Sequence, residues 1–266
     1  MPAAARTDPE LIRLPRAPRR RIAHLHLRAT TLTPHLQIGR HVPAILARNK
    51  TDHREAPAYN SAMVPGVILA AGRSSRMGRS KALLQCGRDG ESFVRRLGRA
   101  LSDGGIPHVL IVGRPDDEAL REEVAGMAMS ARFVENPGAD AGQLSSILAG
   151  LEAADVHGAG GLLVTPVDAP LVTPATVATL LAVFGATGAP IVRAVYRGRH
   201  GHPVVFSRDV FESLRRADPD VGAKAVLRAH ALAIVNVDVD DAGVVGDVDT
   251  PEDYRALFGR EPGGSR

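Results

Sequence analysis

The 266 residues, 44% hydrophobic and 23% charged, suffice for one sizeable core and an appendage. With no Trp, three Tyr and six Phe, that core must rest on aliphatic residues, as suits a buried, mainly parallel sheet. The single Cys86 excludes an internal disulfide, no apolar run approaches the roughly 20 residues that span a bilayer, and the net charge of +4 divides into +7 over residues 1–62 and −3 over the rest. A basic extension on an acidic body argues against nucleic acid as the body's main ligand.

Residues 1–62 hold seven of the 19 prolines and five of the ten histidines, with clusters such as RLPRAPRRR and no sustained apolar period. They predict a mostly disordered extension with at best a short helix or strand around Ile22 to Leu27. Their arginine- and alanine-rich, acid-poor composition is also that of an organelle transit peptide, while Met63, directly before the first convincing strand, offers an alternative start. The extension lacks the apolar stretch of a secretory signal, so the expected location is the cytoplasm.

From Val64 onward, strand and helix patterns alternate at βα spacing, predicting a three-layer α/β/α sandwich with a mainly parallel, Rossmann-like sheet. The strands are expected at Gly66 to Ala70, His108 to Gly113, Ala131 to Glu135, Gly161 to Val167, Ile191 to Tyr196, Pro203 to Phe206 and Ala233 to Val239. Helices are expected at Glu91 to Asp103, Asp116 to Met127, Gln143 to Ala154, Pro174 to Phe184, Asp209 to Ala217, Gly222 to Ala231 and Pro251 to Phe258. Thr173-Pro174 and Thr250-Pro251 each place a capping hydroxyl before a proline suited to the first helical position.

Ligands of an open parallel sheet bind beyond the carboxyl ends of its strands, and the first strand exits into AAGRSSRMGRSK, Ala70 to Lys81. Small residues let backbone N–H groups approach a phosphate, and Arg73, Arg76, Arg79 and Lys81 supply counter-charge. The glycine spacing fits neither a dinucleotide-binding G-x-G-x-x-G nor a Walker A loop, because Gly72 and Gly78 stand too far apart and Ala82 follows Lys81.

This stretch resembles the signature L-A-(A/G)-G-x-S-x-R-M-G-x-x-K-x-L of the MobA-like nucleotidyltransferases, and is most similar to the molybdenum cofactor cytidylyltransferase branch. Further matches follow in order: ENPGADAGQLSSILAGL (Glu135 to Leu151), VTPVDAPLVTP (Val164 to Pro174), GHPVVF (Gly201 to Phe206) and GDVDTPEDY (Gly246 to Tyr254). The resemblance implies the nucleotide-diphospho-sugar transferase type of fold, with a catalytic domain over 63–259 and a flexible tail over 260–266. It implies transfer of CMP from CTP to the terminal phosphate of a molybdopterin-type cofactor, with Mg²⁺, release of pyrophosphate and a molybdoenzyme as receiver of the product. A guanylyltransferase using GTP, a transferase with another small phosphate acceptor and a non-catalytic carrier are the alternatives. A nicotinamide oxidoreductase lacks its glycine fingerprint.

A phosphate acceptor is largely dianionic at pH 7, so the chemistry asks for carboxylates to hold Mg²⁺ and cations to hold oxygens rather than for a general base. Asp168, at the end of a hydrophobic strand, is the first metal ligand; the second is Asp247 or Asp249, and the resemblance favours Asp249. Arg76 and Lys81 are assigned to the triphosphate, and the resemblance leaves Arg73 and Arg79 to solvent, since the family pattern is variable at their positions. Nucleotide binding is expected from Leu69, Ala70, Ala71, Gly72 and Gly78 and from Gly142, Gln143 and Ser146 at a helix start, Ser145 standing beside them. Alanine rather than glycine at position 71 goes with the cytidylyl branch. His200 and His202 at i, i+2 spacing raise a zinc site against a hairpin bordering the acceptor pocket, and Cys86 reads as a partly buried thiol. Gly138 to Asp140 and Ala169 depart from the family pattern near nucleotide and acceptor, which bears on acceptor identity.

Overall fold

Aliphatic runs separated by amphipathic segments build a seven-stranded sheet covered by helices on both faces. The structure, a computed structural model, describes residues 63–86, 90–155 and 158–262. The expected disordered extension over 1–62 and the end of the tail, 263–266, lie outside the described residues. In chain order come β1 (Gly66–Leu69), β2 (Gln85–Cys86), β3 (Glu91–Ser92), α1 (Phe93–Asp103), β4 (Val109–Gly113), α2 (Glu118–Ala125), β5 (Ala131–Glu135) and α3 (Gln143–Asp155). Then follow β6 (Gly161–Pro166), α4 (Pro174–Thr187), β7 (Ile191–Tyr196), β8 (Arg199–Ser207), α5 (Phe211–Arg215), α6 (Ala223–Ala229), β9 (Ile234–Asp238) and α7 (Pro251–Phe258).

The sheet runs β5-β4-β1-β6-β8-β7-β9, parallel throughout except for β8, which is antiparallel to both of its neighbours. β1 therefore lies inside the sheet, paired in register with β4 through Val67 and Leu110 and with β6 through Val67 and Val164. Side chains alternate between faces. Ile68, Ile111, Leu163 and Val192 join α1, α2 and α4 in one apolar layer, while Val67, Val112, Val164 and Phe206 join α3, α5 and α6 in the other. Each fully buried Leu or Phe in these layers contributes about 1.5–3 kcal/mol. Gly150 allows α3 to press on β1, since a Cβ there would stand 2.6 Å from Val67 Cγ1.

All seven expected strands form. β8 begins at Arg199 rather than Pro203, because Arg197 (φ 48°) and Gly198 (φ 77°) make a tight hairpin that pairs Tyr196 with Arg199. The helix expected over Asp209 to Ala217 is instead a 3₁₀ turn, Arg208–Val210, followed by the short α5. Beside the main sheet stands a small antiparallel pair, β2 and β3. Among the described residues no helix is long and apolar enough to cross a membrane.

Candidate active site

Three segments meet beyond the carboxyl ends of β1 and β6. The first is the loop after β1. The Ala70 N–H donates to Val112 O at 2.8 Å, and the loop then turns through Ser74, whose φ of 48° is left-handed. Ser74 O accepts from the N–H groups of Met77 (2.9 Å) and Gly78 (3.1 Å), and Ser74 Oγ accepts from Lys81 N–H at 3.1 Å. Met77, 6% exposed, anchors the loop in the core while the serines and arginines face the solvent side. The strained serine and the buried methionine together set where Lys81 leaves the loop.

The second segment follows β6 and carries Asp168; Arg96 of α1 holds it by donating to Pro170 O at 3.1 Å. The third precedes α7 and carries Asp247 and Asp249. Val248 N–H donates to Asp168 O at 2.8 Å, tying the two acidic segments together. α7 starts with a capping box: Thr250 Oγ1 accepts from Asp253 N–H, and Asp253 Oδ2 accepts from the N–H groups of Thr250 (2.9 Å) and Asp249 (3.1 Å). The helix is seated by Tyr254 and Phe258, whose rings lie 6.1 and 5.6 Å from that of Phe93.

Lys81 is the hub. Its Nζ lies 2.5 Å from Asp249 Oδ1 and 3.5 Å from Asp168 Oδ2, with the lysine side chain only 11% exposed. Arg76 Nη2 stands 3.7 Å from Asp249 Oδ2 and is open to solvent. Burial pushes the Asp168 carboxyl above the ordinary range against the opposing pull of Lys81, and the neighbouring charges of Asp247 and Asp249 add to the rise. Asp247 is raised likewise by burial and by Asp249. Acidic oxygens thus converge on a single ammonium, an arrangement that attracts further positive charge.

A cavity of about 340 Å³ opens over this hub. Leu69, Ala70, Ala71, Gly72, Arg76 and Lys81 line one side, Gly142, Gln143 and Ser146 another, and Asp168 and Asp249 the end. All the expected nucleotide and metal residues are therefore brought together except Gly78. That glycine, with φ 69°, makes the turn of the loop and does not line the cavity. Asn136, 4% exposed, was not singled out from sequence; its Nδ2 donates to Ser145 Oγ and Ser146 Oγ, both at 2.9 Å, and so fixes the start of α3.

Arg73, expected to be solvated, is exposed but paired. Its guanidinium donates to both oxygens of Asp140 at 3.0 and 2.7 Å, and Arg114 donates to the same carboxylate. Arg114 Nε also donates to Ala71 O at 3.1 Å. The two arginines hold the Asp140 carboxyl down to about 2. This link joins residues far apart in sequence, and only the departure of Gly138 to Asp140 from the family pattern hints at it.

His202 lines a neighbouring cavity, and His200 is exposed. Among the described residues no group of three or more His, Cys, Asp or Glu is arranged to hold a metal by itself. Two carboxylates, with oxygen donors only, nevertheless suit Mg²⁺, which keeps waters and takes its remaining ligands from phosphate oxygens. Cys86 is buried, with its Sγ 3.3 Å from Glu91 O.

A mainly parallel sheet with a glycine-serine-arginine loop after the interior strand β1, and a lysine held between carboxylates beneath it, defines a nucleotide-handling α/β transferase. The chain belongs to the MobA-like NTP transferase domain family, whose profile matches residues 66–234, and is a nucleotidyltransferase of that type. It is 29% identical over 198 residues to the purine catabolism protein PucB of Bacillus subtilis, covering 71% of this chain and 93% of that one. It is 39% identical over 117 residues to the molybdenum cofactor guanylyltransferase of Xanthomonas euvesicatoria, covering 44% of this chain and only 53% of that one. Among solved structures it is similar to Rv0371c of Mycobacterium tuberculosis, with a TM-score of 0.63 and 28% identity over 74% of this chain and 99% of that chain; Rv0371c has also been solved in complex with manganese.

Proposed function

We propose that the protein transfers CMP from CTP to the terminal phosphate of a molybdopterin-type acceptor and releases pyrophosphate. The observation that carries this reading is the Lys81 ammonium between Asp168 and Asp249 at the end of a cavity walled by the loop after β1. Asp168 and Asp249 would hold Mg²⁺, which when bound neutralises charge on the triphosphate. Lys81 and Arg76 face the same point and stabilise the charge that gathers on the departing pyrophosphate. The small residues Ala70, Ala71 and Gly72 let the backbone come close to phosphate and base, and Asn136 keeps Gly142, Gln143 and Ser146 in place opposite them. An acceptor phosphate is already ionised at pH 7, so these residues have only to position and to balance charge.

The preference for cytidine rests on Ala71, which lines the cavity at a position where the resemblance associates alanine with the cytidylyl branch and glycine with the guanylyl branch. A second reading, guanylyl transfer from GTP, is favoured by the name and 39% identity of the Xanthomonas relative. The test is pyrophosphate release by the purified protein with Mg²⁺ and each of CTP, GTP, ATP and UTP, with and without molybdopterin, for the native protein and Ala71→Gly. Acceptor-dependent release with CTP, shifting towards GTP in Ala71→Gly, supports the proposal. A native preference for GTP replaces cytidylyl by guanylyl transfer, and nucleotides that stay intact with molybdopterin while still binding would favour another phosphate acceptor or a carrier.

A further inference from the structure

Two walls of the nucleotide cavity come from loops after strands that are not neighbours. The sheet order β5-β4-β1 puts β4 between those strands, and since all three are parallel their carboxyl ends open on one edge. The loop after β1 brings Ala70, Ala71 and Gly72 to one wall, and the loop after β5 brings Ala139, Gly142 and Gln143 to the other. The residues that leave β4 hold both loops. Gly113 O, at the last position of β4, accepts from Asn136 N–H at 2.8 Å and fixes the root of the β5 loop. The next residue, Arg114, reaches in two directions: Nε donates to Ala71 O at 3.1 Å, and Nη2 donates to Asp140 Oδ1. Asp140 stands two residues before Gly142, whose φ of 93° turns the chain into α3 and whose carbonyl accepts from Ser145 Oγ at 2.7 Å. Arg73 of the β1 loop grips the same carboxylate, and the two arginines hold it down to about 2, so Asp140 is ionised at neutral pH.

We propose that Arg114 is a positioning residue for the nucleotide: by tying Ala71 O to Asp140 it sets the distance between the two walls, and so the fit of the nucleotide held between them. The inference rests on the reading of this cavity as the nucleotide site and holds for CTP or GTP alike. Of the two arginines, Arg114 carries the link. The Arg73 and Asp140 side chains are 68% and 63% exposed, and an ion pair so open to water contributes little. Arg114 is 23% exposed, and its planar fork serves a backbone carbonyl and a carboxylate at once, as the point charge of a lysine does not. Without the link the walls must be ordered by the ligand itself, at a cost in affinity. Lys81, Asp168 and Asp249 are held by other contacts, so nucleotide that does bind meets the same charged groups.

The experiment is calorimetric titration with CTP and, separately, GTP in the presence of Mg²⁺. It compares the native protein with Arg114→Ala, Arg114→Lys, Arg73→Ala, Asp140→Ala and the double variant Arg114→Ala/Asp140→Ala, with thermal melts and pyrophosphate release in parallel. Expected for the better-bound nucleotide is a Kd raised about tenfold in Arg114→Ala, about fivefold in Asp140→Ala and at least about threefold in Arg114→Lys, but less than about threefold in Arg73→Ala. In the double variant the rise should stay near tenfold, well short of the product of the two single losses, because both substitutions break one link. The rate at saturating nucleotide should stay within about twofold of native, so that the loss appears in KM rather than kcat. A residue that merely stabilised the fold would lower the melting temperature and leave the Kd of the folded protein unchanged, and that result overturns the inference. Full affinity in Arg114→Lys, or losses that multiply in the double variant, also overturns it, while leaving nucleotidyl transfer in place if pyrophosphate is still released. Asp140 lies at the surface, so native affinity in Asp140→Ala overturns the inference even if Arg114→Ala fails to fold. Native protein that binds neither nucleotide removes the reading of the cavity, and the inference with it.

Discussion

Asp241→Ala removes a cluster of hydrogen bonds that, together with the one from Val248 N–H to Asp168 O, holds the two carboxylate-bearing segments in register. Asp241, 7% exposed, accepts through Oδ2 from Thr173 N–H (2.9 Å), Thr173 Oγ1 (2.8 Å) and Thr176 Oγ1 (2.6 Å), and through Oδ1 from Gly243 N–H (2.9 Å). Thr173 caps α4 at the far end of the loop from Asp168, and Gly243 belongs to the turn that leads to Asp249. The two segments touch so closely that a Cβ at Gly243 would lie 2.3 Å from Leu171 O. Alanine would strand the Thr173 and Gly243 N–H groups at about 1–3 kcal/mol each and lose the hydrogen bonds of the Thr173 and Thr176 hydroxyls, for a total of about 3–5 kcal/mol. Asp241→Asn retains one accepting oxygen and should cost about 1–2 kcal/mol. For a domain of roughly 200 residues, the alanine variant should melt about 6–20 °C lower. Thermal circular dichroism measures this, and pyrophosphate release measured well below the melting point should show kcat reduced with the KM for nucleotide little changed. A melting temperature within about 3 °C of native, or native kcat in the folded variant, would refute the reasoning.

Lys81→Ala should lower kcat/KM by about 10²–10³-fold in a pyrophosphate-release assay while the fold persists, because it removes the only ammonium between Asp168 and Asp249 among the described residues. Thr250→Ala should destabilise by about 1 kcal/mol through loss of its cap, seen as a melting temperature lower by about 2–4 °C. Glu123 is held below its ordinary range of 4.5 by hydrogen bonds from Arg95 (3.0 Å) and Ser92 (2.6 Å). A carboxyl lowered in the folded state adds stability above its unfolded pKa and loses it as pH falls through the folded one. Acid titration of stability should therefore be flatter below about pH 4.5 in Glu123→Gln than in the native protein, as followed by urea melts at pH 3 to 7.

Strands buried on both faces were legible as unbroken aliphatic runs, and α4 and α7 were legible from their Thr-Pro starts, since both signals are local. The start of β8 was not, because Arg199, His200 and His202 do not look like strand residues until the hairpin at Arg197 and Gly198 pairs them with β7. β2 and β3, two residues each, are too short to leave a period. In the site, the chemistry of phosphate asks for cations and carboxylates in loops after strands, which points to Lys81 and Asp168, whereas Arg76 among the loop arginines and Asp249 rather than Asp247 follow from the family resemblance. The glycines of a phosphate loop read alike, so sequence does not separate Gly78, which turns the chain, from Gly72, which lines the cavity. Asp241, Asn136 and the link from Arg73 through Asp140 to Arg114 depend on partners brought together only by folding, which no spacing in the sequence encodes.

The most direct test of the central claim is transfer of label from α-phosphate-labelled CTP to molybdopterin, followed against Mg²⁺ concentration for the native protein, Asp168→Ala and Asp249→Ala. The expected result is Mg²⁺-dependent appearance of label on the acceptor with one pyrophosphate released per transfer, reduced at least about 100-fold in Asp168→Ala and in Asp249→Ala. Label transfer at the native rate in either variant would contradict a centre built on Lys81 and these two carboxylates.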